Sequence, residues 1–261
     1  MSASDAPDRH RVPSPRDAAA RLLTALVLLL ATSIGARAGP PYVSDDPEPT
    51  DTGHWEIYHF GLGTRTFGVT AGQAGMDINY GAYKDLQLTA VIPADFERGS
   101  ANGVGVGDIE VAAKYRFLHQ ADGDLTPDVS FFPRLFLPTA NRTFGSGRLD
   151  VFLPVWAEKD FGDWSLFGGG GYTINPGPGQ RNFWLDGAVL QRTITDRLSL
   201  GMEAYHQTSA ATGSPALTGI NLGLTYKLFD HWSLLAAGGP LIGHTGPGAS
   251  YSFYLSLKAD Y

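Results

Sequence analysis

Twelve charged side chains alternate with apolar neighbours along the chain, as they would on one face of extended strands. Seven are acids and five are bases: Asp77, Asp108, Glu110, Asp150, Glu158, Asp186 and Glu203, with Lys114, Arg116, Arg134, Arg192 and Lys227. If they line the inside of a barrel, a narrow lumen would pair them into a salt-bridged network. An open pore would leave them hydrated, where they could select among solutes. Neither arrangement requires catalysis.

Other reactive residues lack the spacing that a known chemistry needs. The chain has no Cys, which excludes disulfides, thiolate metal sites and cysteine nucleophiles. Its seven His residues show no metal-binding spacing. Gly103, Gly105 and Gly107 lack the Lys-Ser/Thr pair and the helix of a phosphate-binding loop. A Ser-His-Asp site assembled from distant residues is an alternative that no motif supports. We therefore expect no catalytic residue, metal or cofactor.

A stretch from Gly107 to Leu118 shows most clearly which element positions the charges. Ile109, Val111 and every second residue after them are apolar or small, whereas the residues between them are mostly charged. This period of two indicates a strand with one apolar and one wet face. The apolar face would be the core of a soluble sandwich, but it would meet lipid in an outer-membrane barrel, with the polar face lining the lumen.

The same alternation recurs and predicts an all-β, membrane-spanning, antiparallel up-and-down β-barrel of about 12 strands. The strands are expected at about 54–64, 75–82, 86–96, 105–118, 128–138, 149–159, 163–174, 183–194, 198–207, 217–228, 232–242 and 250–261. The segment 183–194 is apolar on both faces. We orient it with Asp186 and Arg192 inward, because charges facing lipid are costly.

Short and long connections alternate along the chain, as periplasmic turns and outer loops do in such barrels. The short ones each hold an Asp and lie at 82–85, 159–163, 195–197 and 229–231. The long ones are rich in Gly, Ser, Asn and Pro and lie at about 65–74, 97–105, 138–148, 175–182, 208–216 and 243–250. The connection at 119–127 is an exception, because it is long although it should be periplasmic.

Composition fits this class of protein. Charged residues make up 17% of the chain, against about 25% in an ordinary soluble domain. Gly is abundant at 33 residues, and aromatic residues account for 11%. The net charge of -7 argues against nucleic acid as a partner.

The N-terminal region divides into two parts. Residues 1–38 read as a signal peptide, with a basic leader, an apolar core at Leu22–Ala31 and small residues before a cleavage point after Ala38. That core is too short for a membrane helix, which needs roughly 20 residues. Residues 39–52 are rich in Pro and acids and predict an extended periplasmic lead-in to the barrel at 53–261. Asp45, Asp46, Glu48 and Asp51 could offer oxygens to Ca²⁺, but a solvated acidic stretch is the simpler interpretation because the spacing matches no EF-hand loop.

The C-terminal strand alternates apolar and polar residues and ends at Tyr261. A last strand that ends in an aromatic residue resembles the signal read by the outer-membrane insertion machinery. Aromatic residues also cluster at other strand ends, including Trp55, Trp164 and Trp232, which is typical of the girdles at the two membrane interfaces. An ordinary closing strand of a soluble β-protein is the alternative.

Several motifs resemble one family of bacterial outer-membrane proteins. They are residues 41–47 followed by His54-Trp55-Glu56-Ile57-Tyr58, then residues 77–81, 85–88, 105–117 and 133–139. The chain resembles the MetA-pathway of phenol degradation family, often called transporters. The resemblance implies a β-barrel linked by name to the uptake of aromatic compounds, and it implies no particular functional residues.

These observations lead us to expect a non-enzymatic channel in the Gram-negative outer membrane, in contact with lipid and lipopolysaccharide. It would carry small solutes, including apolar or aromatic compounds, by passive diffusion, with the loops at 138–148 and 175–182 as gates. Two alternatives remain open: a closed structural or adhesive barrel without transport, and a soluble β-sandwich.

Overall fold

The structure is a computed structural model that describes residues 41–99, 102–121, 123–141, 144–145, 147–242 and 249–261. The predicted signal peptide, at 1–38, and most of the predicted loop at 243–250 lie outside these ranges. Within them, no helix is long and apolar enough to cross a membrane.

Strands dominate the fold and form a single antiparallel sheet. They are β1 (Trp55–Thr66), β2 (Val69–Tyr83), β3 (Leu86–Arg98), β4 (Gly103–Val106), β5 (Ile109–Leu118), β6 (Asp128–Phe131), β7 (Arg134–Leu137), β8 (Asp150–Phe161), β9 (Trp164–Ile174), β10 (Phe183–Thr195), β11 (Leu198–Gln207), β12 (Leu217–Phe229), β13 (Trp232–Ile242) and β14 (Tyr251–Asp260). Because β1 pairs with β14, the sheet closes. The segments β4 and β5 share one position in the barrel, and so do β6 and β7. The prediction of a 12-stranded antiparallel barrel is therefore confirmed.

Side chains alternate between the lumen and the outside in the sense expected for a membrane barrel. In β12, for example, Ile220 and Leu222 point outward and are 37% and 67% exposed, whereas Asn221 points inward and is 4% exposed. Apolar side chains outside and polar side chains inside reverse the pattern of a soluble protein. The sequence thus specifies both the strands and the medium around them.

Two predicted strands are interrupted. Gly107 and Asp108 separate β4 from β5, and Phe132 and Pro133 separate β6 from β7. Pro133 cannot donate a ladder hydrogen bond, so the ladder breaks there. The wall stays connected across both interruptions, because Gly107 N donates to Pro93 O at 3.0 Å and Phe132 N donates to Pro154 O at 3.1 Å.

The two ends of the barrel differ. The turns between β2 and β3, β8 and β9, β10 and β11, and β12 and β13 leave only two residues outside the strands. They lie with the longer 119–127 connection at one end, which we call the short-turn end; the other is the long-loop end. Trp55 and Tyr261 close the barrel at the short-turn end by exchanging backbone hydrogen bonds of 2.8 and 2.9 Å.

One predicted long loop is wrong. Instead of a loop at 65–74, β1 and β2 join through a two-residue turn at Phe67 and Gly68, whose φ angles are +50° and +84°. Such a turn has positive φ at both central residues. A Phe in the left-handed region is uncommon, which explains why the sequence did not indicate the turn.

Candidate functional site: the lumen and the segment inside it

Residues 41–52 fill the lumen, and we call this segment the plug. Its side chains are largely buried: Ser44 is 2% exposed, Asp46 3% and Thr50 6%. The sequence predicted this stretch as a periplasmic lead-in, whereas the structure places it against inward-facing side chains on opposite walls. Its prolines keep it out of the sheet, as expected. Side chains of the barrel bind its backbone instead, which is why it lies inside.

Lys114, on the inner face of β5, holds the plug on one wall. Its Nζ donates to Asp45 Oδ1 at 3.0 Å, to Asp46 O at 2.9 Å and to Glu48 O at 3.3 Å. An ammonium group has three donors, so the plug uses all of them. Lys114 is 4% exposed and lies 5.0 Å from the ring centroid of Phe132. This buried cation therefore depends on the plug for its hydrogen bonds.

Glu203, on the inner face of β11, holds the plug on the facing wall. Its carboxylate accepts hydrogen bonds from Ser44 N at 2.6 Å and from Val43 N at 3.2 Å. Asn221 Nδ2 donates to it at 2.8 Å, and Ser252 Oγ donates to Asn221 Oδ1 at 2.6 Å. Among the described residues, no ion pair includes Glu203, which is fully buried. This anion is thus balanced by neutral donors, two of which are backbone amides of the plug.

Tyr42 lies in a socket beside Glu203 that glycines make possible. An added Cβ would lie 2.3 Å from Tyr42 Oη at Gly201 and 2.4 Å from Tyr42 Cε1 at Gly223. The ring packs edge-on against Phe167, with centroids 6.0 Å apart, and Val189 belongs to the same cluster. The hydroxyl has no hydrogen-bond partner, so the socket binds the tyrosine by shape.

The plug leaves the lumen beside Gln87, near the short-turn end. Gln87 Oε1 accepts hydrogen bonds from Thr50 N at 2.8 Å and Thr50 Oγ1 at 3.0 Å. Gln87 Nε2 donates to Asn79 Oδ1 at 2.7 Å. Both side chains are buried. This contact fixes where the plug joins β1, so the segment is held at three points along its length.

The acidic stretch of the plug has unusual electrostatics. Burial raises the pKa of the Asp46 carboxyl to about 7, although the nearby Lys114 ammonium acts in the opposite direction. Asp45 and Glu48 raise it further through like-charge repulsion. Burial therefore moves the titration of the Asp46 carboxyl toward neutral pH.

The lumen differs in polarity on the two sides of the plug. A cavity of about 620 Å³ opens toward the short-turn end and is lined by charged residues, including Asp77, Glu110, Arg134, Lys227 and Lys258. Phe132, Phe152 and Trp156 form an apolar cluster on the inner wall, with Phe136 and Leu185 packed against it. A more open cavity of about 390 Å³, lined in part by Leu62, Gln73 and Phe144, lies nearer the long-loop end. The plug lies between a polar vestibule and a more apolar outer lumen.

Ten of the twelve predicted lumen residues lie on inward faces. Lys114 and Glu203 contact the plug directly. Glu110 accepts two hydrogen bonds from Arg134, at 2.6 and 2.7 Å, and Asp77 and Lys227 line the polar vestibule. The other four lie nearer the ends: Arg116 pairs with Asp85 at 3.1 Å, Glu158 accepts from Ser165, Asp108 accepts from Ala140 N at 2.8 Å, and Asp150 begins β8.

Two of the twelve predicted lumen residues face outward instead of inward. Asp186 and Arg192 lie on the outer face of β10, which they share with Trp184 and Leu190, 55% and 45% exposed. The inner face of β10 is apolar at Val189 because this residue packs in the cluster that contains Tyr42. The orientation that we inferred for β10 is therefore wrong. The sequence did not place the plug in the lumen, so an apolar inner face was not expected.

The two loops proposed as gates make different contacts. In the loop at 138–148, Asn141 N donates to Val106 O at 3.3 Å, and Phe144 lies over the inner face of β4 at Gly103 and Gly105. The loop at 175–182 pairs with the next one instead, as Arg181 N donates to Ala210 O at 2.9 Å. The described part of the first loop thus lies at the lumen wall, whereas the second loop is bound to another loop.

Sequence reasoning missed the plug residues and two of their partners. Asp45 and Asp46 were interpreted as solvated acids, and Tyr42 had no assigned role. Gln87 and Asn221 carry no charge and follow the ordinary alternation of their strands. A usable signal was the inward position of Gly201 and Gly223, because glycines facing a filled lumen leave room for a bulky group.

A closed barrel with apolar side chains outside and a filled polar lumen defines an outer-membrane β-barrel. The chain belongs to the family described as "Putative MetA-pathway of phenol degradation", whose model matches residues 54–258. The resemblance noted in the sequence is therefore confirmed. The matched range begins after the plug.

Solved structures align with the chain to different degrees. The COG4313 outer membrane channel from Pseudomonas putida F1 aligns with a TM-score of 0.67 and 15% identity, over 86% of this chain and 100% of that one. The translocator domain of the autotransporter NalP from Neisseria meningitidis aligns with a TM-score of 0.46 and 15% identity, over 94% and 95% of the two chains. Curated protein sequences include no match to the chain.

Proposed function

We propose that the protein is an outer-membrane channel for the passive uptake of small molecules, and that its own plug closes it in this structure. One observation carries the proposal: the plug crosses the lumen from Lys114 on one wall to Glu203 on the facing wall. The Lys114 anchor combines hydrogen bonds with an ion pair, and the Glu203 anchor consists of hydrogen bonds. Both can form and break without a covalent change. Release of the plug from one or both anchors would open a path between the two cavities. Diffusion along this path requires no catalytic group.

The lining of the lumen favours small apolar or aromatic solutes. Phe132, Phe152 and Trp156 are buried on the inner wall and offer flat apolar surfaces of the kind found in ligand-binding sites. The description of the family names a pathway of phenol degradation. The similar protein from Pseudomonas putida F1 is described as an outer membrane channel. The first description agrees with aromatic cargo, and the second agrees with a channel. The charged vestibule would then be the exit toward the periplasm.

The cellular setting follows from the same proposal. Export would require cleavage of the signal peptide after about Ala38. Outward apolar side chains such as Leu222 would contact lipid and lipopolysaccharide, and the strand ending at Tyr261 would be read by the insertion machinery. In this arrangement the short-turn end faces the periplasm.

Planar-bilayer conductance of the refolded chain 39–261 tests the proposal, with a variant that lacks residues 41–50 measured in parallel. The expected result is rare or small openings for the full chain and stable stepwise currents for the shortened one. Heat-modifiable gel mobility would confirm that both are folded. If the two folded proteins are both silent, the channel is ruled out and a sealed structural or adhesive barrel is favoured. Liposome uptake of toluene or phenol then tests the substrate class.

A further inference from the structure

The outer surface of the barrel carries an acidic residue within its apolar band. Asp186 is exposed on β10, two residues from Trp184, which packs on Tyr172 with ring centroids 5.1 Å apart. Aromatic pairs of this kind mark the membrane interface, so Asp186 lies on the lipid side of the girdle at the long-loop end. A carboxylate there is costly unless a partner binds it.

The neighbouring strands continue this polar row. Asp186 is the register partner of His206 on β11, and His206 is the partner of Thr218 on β12. All three point outward. His206 Nδ1 lies 2.8 Å from Thr218 Oγ1, which orients the ring and leaves Nε2 available. Adjacent strands lie about 4.8 Å apart, so a donor and an acceptor stand side by side on the outer surface.

The surface beside this row is made of small residues. Ala188 and Ala204 are register partners, are exposed and point outward. On β9, the outward positions opposite Ala188 and Asp186 are Gly168 and Gly170. Small residues allow two backbones to approach closely in a membrane. The row therefore borders a shallow area that another flat protein surface could occupy.

The outward face of the next strands shows what an ordinary lipid-facing wall looks like in this chain. On β12, β13 and β14, the outward positions across the middle of the wall hold apolar or small residues such as Leu222, Leu234 and Leu255. The face of β9–β11 thus adds to its small residues two features that the middle of those strands lacks: an exposed acid inside the girdle and a histidine beside it.

We propose that this face is the contact surface of a homodimer, in which Asp186 of each copy accepts a hydrogen bond from His206 Nε2 of the other. A two-fold axis along the barrel makes such a contact self-complementary, because residues i and j exchange partners across it. The charges are complementary when His206 is protonated. Within the part of the chain that the structure describes, no hydrogen bond or ion pair joins Asp186 to its own His206, whose Nδ1 faces Thr218. Acyl chains at this depth offer Asp186 no donor either, whereas a second copy offers one. The proposal is independent of transport.

The absence of Cys from the sequence allows a clean cross-linking test. Two differently tagged full-length chains, one carrying Ala188→Cys and the other Ala204→Cys, are co-expressed in an outer membrane and oxidised. The dimer predicts a mixed disulfide between the two tagged chains. Ala74→Cys and Ala94→Cys form the matched control, because these alanines are also exposed, outward-facing register partners, on β2 and β3 of the far wall.

An Asp186→Asn substitution in both tagged chains tests the assigned contact. It removes a charged hydrogen bond from each of two symmetric contacts, so the mixed cross-link at low protein density should fall about tenfold. Heat-modifiable mobility shows whether each variant is folded. Cross-linking no stronger than in the control pair would overturn the dimer. Undiminished cross-linking in folded Asp186→Asn chains would overturn the role of Asp186 in it.

Discussion

The two walls that hold the plug use opposite chemistry. Lys114 binds the carboxylate of Asp45 and two backbone carbonyls, whereas Glu203 binds two backbone amides. The lysine therefore depends in part on the side chains of the plug. Glu203 binds groups that any residue except proline supplies. The difference indicates that Glu203 itself can hold the backbone of many sequences. Selection of the plug sequence therefore falls to Lys114 on one wall and to the Tyr42 socket on the other.

Removal of the plug takes away the binding partner of both walls. It should therefore have the largest effect on conductance. Deletion of residues 41–50 should convert a mostly closed barrel into one with sustained currents, because no other described segment crosses the lumen. Deletion also removes the hydrogen bonds that the plug makes with Lys114 and Glu203, so thermal stability should fall as conductance rises. A folded deletion variant with unchanged conductance would show that something other than the plug closes the lumen.

Substitution of Lys114 should weaken the plug more than any other single change. In Lys114→Met, the half-buried carboxylate of Asp45 and two carbonyls lose their donor, and the buried carboxylate of Asp46, 3.6 Å from Nζ, loses its cation. Breaking a buried ion pair from one side costs about 3–5 kcal/mol, so the open fraction in single-channel records should rise steeply. Lys227→Met is the matched control, since Lys227 also points into the lumen but is exposed. Equal open fractions in the two variants would contradict the role of Lys114.

Glu203→Gln should have a smaller effect than Lys114→Met. One carboxylate oxygen becomes an amide donor that faces a donor, while the other oxygen can still accept. The cost is that of one or two hydrogen bonds to a buried group, about 1–3 kcal/mol. The same single-channel assay ranks the two anchors. If Glu203→Gln opens the channel as often as Lys114→Met, the two walls do not differ as argued.

Much of this architecture was predictable from the sequence, but the interior was not. Alternation with a period of two specified the strands and their outward faces. The plug contacts join residues far apart, since Ser44 and Glu203 are separated by 159 positions. Many of the plug groups involved are backbone amides and carbonyls, which look the same in every residue. Asp186 was assigned to the wrong face for the same reason, because the contacts of the plug inside the lumen were not predicted. The apolar inner face of β10 becomes understandable only once Tyr42 is known to pack beside Val189.

The pH dependence of closure should follow Asp46. Its pKa is raised to about 7 in the docked plug, whereas a hydrated Asp titrates near 3.9. Between about pH 3.9 and pH 7, docking of the plug is therefore accompanied by uptake of a proton. The docking equilibrium becomes less favourable as pH rises, by up to about tenfold per pH unit below pH 7. The channel should be more closed at pH 5 than at pH 8. Asp46→Asn should flatten this profile, and an unchanged profile in that variant would assign the dependence to another group.

Substitution of Tyr42 by Phe should have the smallest effect on plug docking. It tests whether the Glu203 wall holds this ring by shape or by a hydrogen bond. The hydroxyl of Tyr42 has no partner, so Tyr42→Phe removes a buried polar group without breaking a bond. Plug docking should be unchanged or slightly tighter, by at most about 1 kcal/mol. Gly201→Ala is the paired probe, because the added methyl would meet Tyr42 Oη at 2.3 Å and should loosen the plug. The double variant Tyr42→Phe with Gly201→Ala should recover part of that loss, since the atom that clashes is gone. Open fractions that rise in Tyr42→Phe alone would show that the hydroxyl is hydrogen-bonded when the plug is docked, and the Glu203 wall would then hold the plug by more than backbone amides and shape.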